Sequence, residues 1–269
     1  MLCSSMKKKF LLPSFAFFLL SFFFLLLPAP RLEAAGELGI VKPLAPYSVF
    51  NTFSAFSLPG GGTSVSLTIE RSKDPSFYRH TLGFSYGISD RAELTAGLPY
   101  VDSLEGGSGF EDIGGAFKYR FYDQGRYRPA VAALFFGYLP TGRDALSRGG
   151  GAGGGLALSH KLGPLLVHAN FIYTVPGKSS LTDEFDFLTG LEFAATHDVR
   201  VLGEFQLRRS AVLNKVDLSE VRFGYRFSRG DVYNTLGVGF DLKDRHPEFR
   251  IIFSIGASFE RITRSALNI

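Results

Sequence analysis

The sequence predicts an all-β protein, an antiparallel transmembrane β-barrel of twelve strands preceded by a signal peptide. Three observations carry that expectation. The N-terminus is basic and then apolar, as export requires. Beyond it, apolar residues alternate with glycine, small and charged ones. Short connections between these alternating runs themselves alternate with longer ones.

Lys7, Lys8 and Lys9 precede an uncharged run from Phe10 to Leu27, with small residues at Ala29, Ala34 and Ala35. This is the order of a secretory signal peptide, cleaved after residue 34 or 35. The run is long enough to leave an uncleaved anchor helix open, and Met6 is an alternative start. Cys3 is the one cysteine, so the mature chain has none and no disulfide. Removing residues 1–35 takes away three lysines, Arg31 and Glu33, and the formal charge falls from +4 to +1. A basic balance that belongs to the signal gives no reason to expect a nucleic-acid partner.

The period-two pattern is plainest in "TLGFSYGI", where Leu82, Phe84, Tyr86 and Ile88 alternate with Thr81, Gly83, Ser85 and Gly87. After "SDR" it resumes with Leu94, Ala96, Leu98 and Tyr100, which makes a hairpin. The same alternation returns in "IGGAFKYRF", "VRVLGEFQLR", "VRFGYRF" and "FRIIFSIGASF". The strands expected are 62–71, 77–88, 92–101, 111–122, 127–139, 153–162, 165–175, 184–195, 198–209, 218–228, 232–242 and 248–259. Most have the length that crosses an outer membrane at a tilt. Tight links at "SDR", "DQGR", "LGP", "HD" and "SRGD" alternate with the longer 102–110, 140–152, 176–183 and 210–217, and "SKDPS" and "KDRHP" fall on the second side. A soluble sandwich also has period-two strands, but its outer face is broadly polar and its loops need not alternate in length.

Two segments stand outside the pattern. Residues 36–61, with prolines early and a glycine run at the end, leave three readings open: an extra strand, a plug in the lumen, or a linker. The barrel proper is expected over 62–259, with 260–269 as a C-terminal tail. Phe259 is the candidate for the aromatic residue that ends the last strand and is read by the barrel assembly machinery.

"YGISDRAELTAGLPYV" (86–101), "GFEDIGGAFKYRF" (109–121), "FFGYLPTGRD" (135–144) and "HKLGPLLVHANFIYT" (160–174) follow one another in order. Together they resemble a family of outer-membrane transporter-like barrels linked to meta-pathway phenol degradation. The resemblance is densest over residues 77–175 and rests on strand and turn signatures. It implies an outer-membrane barrel that takes up small compounds, aromatic or apolar ones included. It assigns no binding residue.

With the apolar face against lipid, the alternate positions point inward. That parity places Lys118, Arg120, Arg200, Arg208, Arg222, Arg226 and Arg250 in the lumen, with Glu93, Asp186, Glu192, Glu204, Glu220 and Asp241 as their counterparts. Glu192, Arg200, Glu204, Arg208, Arg222 and Arg226 lie on sequential strands and are placed for a cross-strand ladder of ion pairs. Two readings stay open: a polar pore whose arginines orient a solute, and an interior packed with charges that satisfy one another. The loop "YLPTGRDALSRGGGAGGG" carries Arg143, Asp144 and Arg148 and is a candidate gate, the alternative being a solvated surface loop.

No catalytic site, cofactor or metal is expected. His160 and His168 fall on neighbouring strands with His168 and Asn170 inward, while His80, His197 and His246 are read as lying near turns. An esterase would need a serine and an orienting group around His168, and no serine is locally suggestive. The run 148–155 is not a dinucleotide fingerprint, since no helix opens on it. It reads as a flexible joint that leaves room inside the wall. The function expected is passive uptake or binding of small solutes in the outer membrane of a Gram-negative bacterium, in contact with outer-membrane lipid. The rival is a closed structural or adhesive barrel. Oligomeric state and solute identity are not legible in the sequence.

Overall fold

The computed structural model describes residues 39, 41–73, 76–103, 107–209, 218–242 and 249–259. The expected signal peptide, His246 and the tail after Phe259 lie outside them. Twelve antiparallel strands form one closed sheet: β1 (Thr63–Ser72), β2 (Phe77–Ser89), β3 (Ala92–Ser103), β4 (Ile113–Tyr122), β5 (Ala130–Leu139), β6 (Gly151–Leu162), β7 (Leu165–Pro176), β8 (Glu184–Ala194), β9 (Val199–Arg208), β10 (Leu218–Arg229), β11 (Val232–Asp241) and β12 (Phe249–Phe259). Each strand pairs with its neighbours in sequence, and β12 closes on β1 with Phe259 opposite Thr63 and Arg250 opposite Ser72. A closed sheet has no edge, so every strand finds two partners for its backbone, which hydrocarbon demands.

The alternation read from the sequence sets the two faces. Leu82, Phe84, Ile88 and Leu94 are about half exposed on the outside, with Phe135, Phe171, Phe223 and Val201 likewise. Their alternate neighbours, Ser85, Glu93, Thr95 and Lys118 among them, are buried within. An apolar exterior around a polar interior reverses a soluble protein and is the surface that lipid solvates.

Tight turns at 90–91, 163–164 and 230–231 lie on one rim together with the ends of β1 and β12. Gly163 (φ 61°) and Gly230 (φ 58°) supply the left-handed residue that such turns need. Four expected boundaries move by two residues or more, the first being the end of β3, at Ser103 rather than 101. β5 begins at Ala130 rather than 127, because Pro129 has no N–H to give the ladder. β4 begins at Ile113 rather than 111, because Glu111 and Asp112 are drawn into side-chain contacts. β6 begins two residues earlier than expected, at Gly151. His80 lies within β2 opposite Ile69, not near a turn.

Residues 41–62 run inside the ring. They include a two-residue hairpin, Ser48–Val49 paired with Thr52–Phe53, and bury Val41, Leu44, Val49, Phe53, Ala55 and Leu58. Gly39 lies beside Glu111 on the long-loop rim, and Gly60 donates to Asp90 on the short-turn rim. The segment thus crosses the lumen from one rim to the other before entering β1.

Candidate functional site: a lumen crossed by the N-terminal segment

The segment is held by lumen side chains that address its backbone. Glu204 Oε2 accepts from the N–H of Asn51 and of Thr52, both at 2.8 Å, and from Thr52 Oγ1 at 2.7 Å. Asn170 works in both directions: its Oδ1 accepts from Phe53 N at 2.6 Å and its Nδ2 donates to Phe53 O at 2.8 Å. Leu58 N donates to Glu93 Oε2 at 2.8 Å, and Lys118 Nζ donates to Phe56 O at 2.6 Å. Arg226 Nη2 donates to Ser48 O at 2.7 Å. A chain without regular pairing carries unsatisfied N–H and C=O groups into the lumen, and polar wall residues are the partners that make this tolerable.

Glycines of the wall take up the segment's side chains. Gly224 and Gly237 face each other on β10 and β11, and a Cβ on either would stand 2.9 and 2.3 Å from the Phe50 ring. Phe50 itself has φ 29°, the left-handed side, at the tip of the short hairpin. Gly114 receives Val41 in the same way, and Gly190 receives Val49 and Thr52.

The charged residues expected in the lumen divide between its middle and its rims. Arg222 pairs with Glu204 and, at 2.8 Å, with Glu220. Arg250 lies 3.7 Å from Glu220, Arg208 pairs with Asp186 at 2.7 Å, and Arg226 lies 3.7 Å from Glu192. Lys118 sits 3.3 Å from Glu93. Arg200 reaches Glu192 at 2.9 Å from the short-turn rim, where its side chain is 44 % exposed. Arg120 is also at that rim, bound to Asp123 at 3.1 Å and to Asp90 O at 2.8 Å. Asp241 is half-buried beside Glu220, its register partner on β10. Breaking one of the inner pairs would leave an uncompensated charge at a cost of about 3–5 kcal/mol.

At the long-loop rim the three residues of the candidate gate separate. Asp144 is fully exposed, and Arg143 is exposed with Nη1 donating to Ser108 O at 3.0 Å. Arg148 is 2 % exposed: it pairs with Glu184 and donates from Nη2 to Gly39 O at 3.0 Å. Asp112 organises the loop around it. Its Oδ1 accepts from Gly142 N (2.9 Å) and Ser147 Oγ (2.7 Å), and its Oδ2 from Arg148 N (2.8 Å) and Gly150 N (3.2 Å). Burial alone would raise this carboxyl; the four donors outweigh burial and hold it below the ordinary aspartate value.

The glycine run, expected to leave room inside the wall, meets a requirement of the wall itself. A Cβ at Gly151, Gly153 or Gly155 would stand 2.3–2.6 Å from a carbonyl oxygen of β7. The glycines allow close approach between adjacent strands, and Gly149, Gly150 and Gly151 all have positive φ where the loop turns into β6.

A serine does stand beside His168. Ser159 Oγ lies 2.7 Å from His168 Nδ1, and His168 Nε2 lies 3.3 Å from Glu192 Oε1. The order serine, histidine, carboxylate is that of a nucleophile relay, but Ser159 Oγ accepts from Ala55 N at 2.8 Å and is covered by the segment. A hydroxyl that receives this N–H has its own proton to give, and His168 is placed to take it. The group serves to hold the chain.

Sequence reasoning missed Glu70, Arg79, Glu111, Asp112 and Glu184, all buried. Arg79 donates to Glu111 from Nε and from Nη2, each at 3.0 Å, and Glu70 pairs with Lys42 of the segment. Extending the inward parity of Thr81 by one step back reaches Arg79, so that signal was present. No pattern in sequence marks Asp112, whose partners lie thirty and more residues away.

The sequence profile of a family described as "Putative MetA-pathway of phenol degradation" matches residues 48–245. No curated protein matches the chain in sequence. Among solved structures, the COG4313 outer membrane channel from Pseudomonas putida F1 superposes with a TM-score of 0.57 at 15% identity, over 76% of this chain and 98% of that one. The NanC porin gives a TM-score of 0.57 at 12% identity, over 73% and 100% of the two chains, and the KdgM porin 0.53 at 9%, over 73% and 99%. At such identities the likeness is one of fold.

Proposed function

The chain belongs to the MetA-pathway phenol-degradation family, and from that premise we propose that it is a passive outer-membrane channel for small solutes, phenol-class aromatics included, whose bore is set by residues 41–62. One observation carries the reading: a closed twelve-strand wall with an apolar exterior surrounds a polar lumen occupied by a segment of the same chain. The segment is bound by hydrogen bonds and ion pairs rather than by a continuous backbone ladder, so its contacts exchange for solute or water one at a time. Transport needs no cofactor and runs down a gradient. Recognition of Phe259, which ends β12, by the assembly machinery belongs to the same reading.

Swelling of proteoliposomes in a panel of sugars, amino acids and phenols tests it. The full chain is expected to admit only the smallest solutes, and a variant lacking residues 41–58 to admit larger ones at several-fold higher rates. Absence of flux from both proteins, each shown folded by its heat-modifiable migration, would sink the channel reading. The packing of the lumen favours a second reading, a barrel closed for good by its own N-terminal segment, and flux through the truncated variant with none through the full chain would establish it.

A further inference from the structure

The lumen wall is not uniform. On β7, β8 and β9 the inward residues at mid-height are long or amide-bearing and packed against the segment, Asn170, Leu188, Glu204 and Gln206 being almost wholly buried. On the opposite side a row of short hydroxyl side chains crosses four strands. Thr235 of β11 is the register partner of Ser254 of β12, Ser254 of Thr68 on β1, and Thr68 of Thr81 on β2. Thr68 Oγ1 donates to Ser254 Oγ at 3.0 Å, and Arg226, register partner of Thr235, reaches Thr235 Oγ1 from Nε at 3.2 Å.

Between this row and the segment lies a cavity of about 40 Å³, whose wall side carries the hydroxyls of Ser66, Thr68, Thr235 and Ser254 together with Tyr233, Ile252, Glu70 and Arg226, and whose other side is formed by residues from Lys42 to Asn51 of the segment. Thr68 and Ser254 remain half-open although they point inward. The volume suits a few water molecules, each needing two to four polar partners, and the lining supplies them. Its charges have partners: Lys42 pairs with Glu70, and Arg226 lies 3.7 Å from Glu192 while also donating to the segment's carbonyl oxygens at Pro46 and Ser48. Hydroxyls donate and accept alike, so they replace the hydration of a neutral solute without preferring either sign of charge.

Resting on the channel reading above, we propose that solutes cross the intact protein through the slot between residues 42–51 and the hydroxyl row of β11, β12, β1 and β2, and that the row selects small, uncharged, hydrogen-bonding molecules. The wall of β8 and β9 holds the segment and takes no part in passage.

A cysteine variant tests the route, because Cys3 is the chain's one cysteine and lies in the expected signal. In proteoliposomes carrying Ser254→Cys, silver ion, a water-sized thiol reagent, is expected to cut glycerol and urea flux at least fivefold. Ala157→Cys, buried on the opposite wall, should be unaffected. Thr235→Cys repeats the test should Ser254→Cys fail to fold. Flux that persists after silver treatment of either slot variant would overturn the route and leave the channel reading standing. Loss of flux in Ala157→Cys equal to that in Ser254→Cys would overturn it too. Wild-type protein that passes neither probe would overturn both readings.

Discussion

Asp112 uses one carboxylate to hold a loop by four donors, and those donors make its charge a condition of the loop's shape. Its folded-state pKa is depressed, so the stabilisation is complete above about pH 4, where an unfolded aspartate is ionised as well. It is lost as pH falls through the lower folded value. Amide exchange of the 142–150 peptide, compared at matched intrinsic rates, should be slow at pH 7 and accelerate below about pH 4. In Asp112→Asn it should be fast at both. Equal protection in the two proteins at pH 7 would show that the carboxylate does not organise the loop. Nothing in the sequence foretold this, because an Asp between two strands is ordinary and its partners arrive only through the fold.

The N-terminal segment is the element whose place depends most on its neighbours. Its residues 48–53 have too little chain for a stable hairpin of their own, and the wall supplies what it lacks. Phe50 between Gly224 and Gly237 gives a test of that fit. Gly237→Val should push the ring out, lower the unfolding midpoint on heat-modifiability gels by several degrees and raise solute flux. In a Phe50→Ala background the same substitution should cost much less, since the colliding ring is gone. Equal effects in both backgrounds would mean the glycine serves the strand and not the segment. Gly224 was legible in the sequence as a small position on the face of Arg222 and Arg226. What would fill it was not, because pairing one segment with the strands around it is a matter of three-dimensional register.

For the barrel as a whole, the controlling fact is the solvent on each face. Phe84 of β2 lies outward near the middle of its strand. Phe84→Arg should cost about 2–4 kcal/mol of stability in a bilayer, the range for arginine near the midplane of a barrel's lipid face. Folding titrations into vesicles measure it. A cost within a few tenths of a kcal/mol would argue that this face does not meet lipid. The strand count, the antiparallel order and the facing of each strand were all legible in the alternation, since period two leaves no freedom once one face is apolar. Boundaries were read less well, as at Pro129 and Ile113, where a missing N–H or a competing side-chain contact ends the ladder.

Local pattern alone therefore determined that this chain makes twelve lipid-facing strands around a polar interior. The alternation acts between residues two apart and needs no distant partner. Tertiary structure alone decided how the interior is used: that residues 41–62 cross it, that Glu204 and Asn170 bind their backbone, and that a small cavity remains beside Thr68 and Ser254. Those outcomes depend on contacts between residues a hundred or more positions apart, which closure of the ring brings together and no local period encodes.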